Sequence, residues 1–172
     1  MTPHALHLIY SALQASEAYL DYRKRHGIES ANILSIIAEP LADGVMARLG
    51  PEISGKVVVE IGAGTGLLGV RMGAVAKRVF CIEANPWWGL AFVHDLVARK
   101  PKNVSFLLGA AEEFEGIVHG DVAVFCAHIG VPSLAGTASK FAPKVIDVYG
   151  ELFGRDATEA EAGVERLRAA GF

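Results

Sequence analysis

The sequence predicts an α/β fold: a doubly wound, mainly parallel five-stranded sheet with helices on both faces, preceded by N-terminal helices. Three observations carry this. Five short apolar runs, rich in β-branched residues, alternate with helical segments from residue 57 onward. These runs are apolar on both faces, as strands of a parallel sheet covered on both sides must be. The first run passes directly into a cluster of glycines and then a helical segment, which is the arrangement of a nucleotide-binding turn. A chain of 172 residues is long enough for one buried core. It reads as a single domain over 1–172, with an N-terminal helical segment at 1–50 and a core at 56–172.

The elements follow in order. Residues 3–24 have Leu6, Ile9, Tyr10, Leu13, Glu17 and Leu20 at helical spacing, all but Glu17 apolar, and Gly27 is a stop signal. Ser30 offers an N-cap for a second helix, with Ile33, Leu34, Ile37, Leu41, Val45 and Leu49 on one side. Pro40 is expected to kink or split that helix, and Gly50-Pro51 to end it. Strands are expected at Val57–Ile61, Val79–Glu83, Val104–Leu108, Val122–Cys126 and Val145–Tyr149. Helices are expected at 66–76, 86–99, 132–140 and 157–170, with a weaker one at 111–118. Right-handed crossovers restrict such a series to a doubly wound sheet.

Composition removes several function classes. The chain is 52% hydrophobic and 20% charged, which places it among globular proteins and not disordered ones. No apolar run reaches the roughly 18 residues of a membrane span, and the first twenty residues lack a signal-peptide pattern. The expected location is cytoplasmic. A net charge of −3 makes a nucleic-acid partner an unfavoured expectation. The basic run Arg23-Lys24-Arg25-His26 reads as a solvated helix end. Cys81 and Cys126 lie inside apolar runs and read as buried free thiols. His4 and His7 have no third ligand near them in sequence, so no metal site is expected.

The chemistry is concentrated after the first strand. Val57-Val58-Val59-Glu60-Ile61 runs into Gly62-Ala63-Gly64-Thr65-Gly66-Leu67-Leu68-Gly69. Glycines let the chain turn sharply and let its backbone approach a ligand closely, and a following helix N-terminus presents free N–H groups. A dinucleotide fingerprint begun at Gly62 needs glycine at 67, where the chain has Leu67. The register Gly64, Gly66, Gly69 satisfies the pattern but starts two residues late. The acid Glu60, just before the glycines, would repel a pyrophosphate and suit an ammonium group. At the end of the second strand stands Glu83, 21 residues after Gly62, where an acid binds ribose hydroxyls.

With its acid, one spacer and three alternating glycines, Glu60-Ile61-Gly62-Ala63-Gly64-Thr65-Gly66 resembles the first motif of the class I S-adenosylmethionine-dependent methyltransferases. The resemblance covers about 57–150. It implies strand order 3-2-1-4-5 and a crevice between the first and fourth strands. It further implies that Gly62, Ala63, Gly64 and Gly66 lie along the amino-acid end of the cofactor, with Glu60 reaching its ammonium group. Glu83 would hold the ribose and Ala84 would sit against the adenine. The family often has Gly-Asp-Ala after the third strand. Here Leu108-Gly109-Ala110-Ala111-Glu112 puts Ala110 at the Asp position, so either a backbone group near Ala111 or the side chain of Glu112 takes the adenine amino group, or affinity is reduced. Usual members carry seven strands, ending with an antiparallel hairpin. This chain stops earlier, so the fifth strand is expected as an edge that a second subunit, a partner or the N-terminal helices cover.

Residues 126–132 follow the fourth strand and are expected beside the methyl donor. The Asn-Pro-Pro-Tyr type of motif is absent there, and His128 is the titratable group suited to be a general base; it can equally satisfy backbone groups at a strand end. Tyr10, Tyr19, Tyr22 and Arg23 are candidates for substrate contact or for packing, as are Trp87 and Trp88 for cofactor contact or core. The expected activity is methyl transfer to a small-molecule or protein acceptor with S-adenosyl-L-methionine as cofactor. The alternatives are a cofactor-binding module without chemistry and, disfavoured by Glu60 and Leu67, an NAD(P)-binding reductase.

Overall fold

The structure, a computed structural model, describes residues 39–125 and 132–148, and with them Glu17, Asp21, Lys24, Glu165, Arg168, Ala169 and Gly171. Glu17, Asp21 and Lys24, within the helix expected at 3–24, are helical and exposed. The rest of that helix, the Ser30 cap, most of 157–170 and the whole of 126–131 lie outside the described residues.

The elements are α1 (Glu39–Ile53), β1 (Val57–Ile61), α2 (Leu67–Met72), β2 (Arg78–Glu83), α3 (Pro86–Arg99), β3 (Val104–Leu108), a 3-10 turn (Ala111–Phe114), β4 (Val122–Phe125), α4 (Pro132–Ser139) and β5 (Lys144–Asp147). The five strands form one sheet in the order β3-β2-β1-β4-β5. All four pairings are parallel, with Glu60 opposite Cys81 on one side and Val124 on the other. This is the predicted doubly wound arrangement. The order reverses at β1, which is flanked by β2 and β4.

Alternation along the strands sorts the core into two layers. Val58, Val79, Cys81, Val122 and Val124 pack beneath α1, α2 and α3 with Val45, Leu49, Ile53, Leu68, Met72 and Phe92. Val59, Ile61, Ile82, Ala123 and Phe125 pack on the opposite face with Ala135, Ala138 and Phe141 of the α4 region. Asp121 aligns the start of β4 with β1, its Oδ2 accepting from the Val57 N–H at 2.8 Å.

β5, expected at Val145–Tyr149, runs from Lys144 to Asp147, and β2 starts one residue early, at Arg78. Three helical boundaries also correct the sequence reading. First, α1 does not stop at Gly50-Pro51 but runs through Pro51 to Ile53. Leu49 and Ile53, one helical turn apart, are 4% and 0% exposed, and their burial outweighs the hydrogen bond that proline forfeits near a helix end. Pro40 is the second residue of α1. Second, the helix expected at 66–76 ends at Met72, and turn hydrogen bonds carry the chain on to Ala76. Third, the segment at 111–118 is a single 3-10 turn, ended before Gly116, whose φ of 75° no helix accommodates. Among the described residues no helix is long and apolar enough to cross a membrane.

Candidate cofactor site

The glycine loop lies at the carboxyl end of β1, where the strand order reverses. In open α/β sheets this is where ligands bind. Gly62, Gly64 and Gly66 have φ of 72°, 56° and 76°, so every second residue of the loop is left-handed. A side chain at any of the three would strain the backbone. The N–H groups of Gly62 and Ala63 both donate to the Ile82 carbonyl, at 2.9 and 3.0 Å, which bends the loop over the end of β2. The Gly66 N–H donates to the Ala63 carbonyl at 2.8 Å, and the Gly66 carbonyl then accepts the first helical bond, from Val70.

The glycines face different ways. A Cβ at Gly62 would meet nothing within 4 Å, so this exposed position faces open space. At Gly66 a Cβ would fall 2.1–2.3 Å from three ring carbons of Phe92 on α3. At Gly69, in the first turn of α2, it would fall 2.3 Å from Cys81 Sγ and 2.5 Å from Glu60 Oε2. Loop and helix therefore rest directly on Phe92, Cys81 and Glu60.

Two buried carboxyls lie below and beside the loop. Glu83, at the end of β2, is 8% exposed. Its Oε2 accepts from the Gly64 N–H at 2.7 Å and its Oε1 from the Asn85 N–H at 2.7 Å. Burial raises its pKa above the usual carboxylate range, and the N–H groups of Asn85, Gly64 and Ala84 oppose that rise. Glu60, at the end of β1, is 4% exposed and lies against Gly69 and Cys81. The Cys81 thiol shares a hydrogen bond with its carboxyl, while Oε2 has no hydrogen-bond partner among the described residues. Burial pushes the Glu60 pKa up to about 8, and the neighbouring Glu83 charge adds to the rise. The Cys81 thiol is pushed up in turn, by burial and then by Glu60.

The other predicted residues divide. Ala84 is exposed at the lip of β2, beside buried Asn85. The Gly109 N–H donates to the Glu83 carbonyl at 3.0 Å, bringing the end of β3 up to Glu83. Ala111 is half-buried against the α4-side core, and the exposed Glu112 accepts from Thr137 Oγ1 of α4 at 3.3 Å. Glu112 thus lies on the α4 side, whereas Glu60 lies under α2. Trp88 is partly buried. His128 lies outside the described residues.

Sequence reading missed Gly69, Cys81 and Phe92 as supports of the loop. A glycine inside a helical pattern was the available signal for Gly69, since such a residue commonly marks close packing. Cys81 becomes a neighbour of Glu60 only through strand register, and no local pattern marks Phe92.

The sequence matches no protein-family model and no curated protein. The fold does match solved structures. A precorrin-6y C5,15-methyltransferase from Geobacter metallireducens superposes with a TM-score of 0.60 at 16% identity, over 83% of this chain and 75% of that one. Precorrin 8W decarboxylase of Methanobacterium thermoautotrophicum gives 0.59 at 22% identity, over 80% and 74%. The TYW2 protein of M. jannaschii, solved in complex with AdoMet, gives 0.50 at 19% identity, over 62% and 50%. This chain therefore spans half to three quarters of the length of these three structures. Its fold is the Rossmann-like fold of the class I S-adenosylmethionine-dependent methyltransferases.

Proposed function

We propose that this protein binds S-adenosyl-L-methionine in the crevice above the glycine loop and transfers its methyl group to a small-molecule or protein acceptor. The observation that carries the reading is the Glu83 carboxyl, buried at the end of β2 and hydrogen-bonded to the glycine loop itself. One group thus sets the height of the loop and presents an acceptor where ribose hydroxyls would lie. The remaining features fit the same cofactor. Gly62 leaves open the space that a Cβ would fill, and the orphaned Oε2 of Glu60 marks a buried acid in need of a cation. In this reading Gly62, Ala63, Gly64 and Gly66 flank the amino-acid end, Glu60 neutralises the ammonium, and Ala84 and Ala111 border the adenine. Glu112, bonded to Thr137 of α4, holds the 3-10 turn at the adenine edge. The bound cofactor supplies an electrophilic methyl carbon. The protein aligns it and keeps water out, and His128 takes the proton from the acceptor.

Calorimetric titration with S-adenosylmethionine, S-adenosylhomocysteine and NADH tests the reading. Binding of both adenosyl compounds is expected, and binding of NADH alone would overturn it. Glu83→Ala should weaken S-adenosylhomocysteine binding by about 1–3 kcal/mol, since it removes a charged acceptor and strands two N–H donors. Unchanged affinity would refute the ribose placement. Loss of methyl transfer with retained cofactor binding in His128→Ala is the expected signature of a base.

β5 is an outer strand of the described sheet. We propose that its outer edge is covered, by a second subunit, a partner or the N-terminal helices. Light scattering of the full chain together with amide exchange of Val145 and Asp147 is the check. A monomer whose β5 amides exchange at unprotected rates would reject cover of any kind.

A further inference from the structure

We infer that Glu60 is the proton-releasing group of the cofactor site: before the cofactor arrives it stands beneath the glycine loop as a neutral carboxylic acid, and it loses its proton to solvent when a cationic ammonium docks above it. This rests on the cofactor reading above and adds a proton to its binding equilibrium.

The argument is one of surroundings. The Glu60 carboxyl is almost wholly buried, with Gly69 above it and Cys81 Sγ beside it. Each element packed on it can be checked for charge among the described residues. β2 contributes Cys81, a poor acid in this setting, and Glu83, which carries the same sign. β4 faces Glu60 with Val124. α2 carries one base, Arg71, and it pairs with Asp43 of α1 at 2.7 Å. To the apolar cluster on this side α1 contributes Val45, Met46, Leu49 and Ile53, and α3 contributes Phe92 and Leu96. No cation in this set compensates a charge on Glu60, and a buried charge without compensation gives way to the neutral form. Its raised pKa, about 8, agrees with that placement.

An amino-acid ammonium supplies the missing cation. The Glu60 O–H bond breaks, the proton passes to water, and the carboxylate pairs with the ammonium. Free α-amino groups titrate near about 7.7–8.0, so the ligand is cationic at pH 7 while Glu60 is still protonated.

The test is calorimetry of S-adenosylhomocysteine binding at pH 7 in two buffers of different ionisation enthalpy. Wild type should release roughly 0.7–0.8 proton per ligand, the proton of Glu60 less the small uptake by the ligand amine, and its association constant should rise about eightfold between pH 6 and 7. Glu60→Gln should release none and show no such rise. 5′-Methylthioadenosine, which lacks the amino-acid end, should release none from wild type. Binding without proton release in wild type, or equal release in Glu60→Gln, overturns the inference and leaves the cofactor reading standing. Failure to bind S-adenosylhomocysteine at all overturns both. An infrared carbonyl band of a protonated carboxyl at pH 6, absent from Glu60→Gln, reports the neutral acid independently of any ligand. Identical spectra would also overturn the inference.

Discussion

Gly66→Ala should cost the protein about 2–4 kcal/mol and lower its affinity for S-adenosylhomocysteine at least roughly tenfold. The added Cβ would lie 2.1–2.3 Å from three carbons of the Phe92 ring, well inside van der Waals contact. Phe92 cannot withdraw. It is 0% exposed and braced edge-on by Phe106 at 4.9 Å between centroids. Relief must come from the loop, which would lift off α3 and strain the bond from the Gly64 N–H to Glu83. The φ of 76° at Gly66 adds left-handed strain for any side chain.

Gly62→Ala separates the steric effect from the backbone effect. That site has a similar φ of 72° but open space around a Cβ. Its stability loss should be confined to about 1 kcal/mol of left-handed strain. Its affinity loss should be as large as that of Gly66→Ala, because the new methyl enters the crevice itself. Urea denaturation and calorimetry on the two variants check this. Equal stability losses would refute the Phe92 prop, and full affinity in Gly62→Ala would refute the placement of the ligand.

The contrast between those glycines shows how much was legible in the sequence. Val57–Ile61 and Val104–Leu108 were readable to the residue, because runs apolar on both faces between turn signals leave few other structures. The glycine turn and the acid after the second strand were readable too, since each answers a local demand: positive φ at one, a strand-end carboxyl at the other. Which way each glycine faces was not readable. Gly66 and Gly69 are needed because Phe92, Cys81 and Glu60 come up beneath them, and those contacts cross from loop to α3 and from α2 to β1 and β2. The end of α1 was misread for a related reason. Proline signals a stop locally, but the burial that keeps Ile53 helical is tertiary. Glu112 shows the same limit: its hydroxyl partner on α4 stands 25 residues further on, and only the fold brings it near.

Glu60→Gln should flatten the pH dependence of folding stability. In the folded protein Glu60 titrates at about 8, against 4.5 for the free group. Between those values the native state holds a proton that the unfolded chain has released. Stability therefore falls as pH rises across this window, and the contribution is lost above pH 8. A displacement of that size corresponds to an effect of about 5 kcal/mol, as an upper figure. Glutamine has the shape of the neutral acid and never ionises. The variant should match wild type near pH 5 and exceed it near pH 8.5, by roughly 2–4 kcal/mol. Glu83, whose pKa is also raised by burial, contributes a slope of the same sign that persists in the variant. Cys81, held neutral in the fold by burial, adds a slope of the same sign only near about pH 8.5, where the unfolded thiol begins to ionise. Urea denaturation of both proteins at pH 5, 7 and 8.5 is the measurement. Parallel stability curves would mean that Glu60 is already ionised in the fold. A lower stability of Glu60→Gln at every pH would mean that its carboxyl hydrogen bond to Cys81 outweighs the charge. The expected passage from equality at low pH to an advantage for the glutamine variant at high pH belongs only to a buried acid that lacks a cation until its ligand brings one.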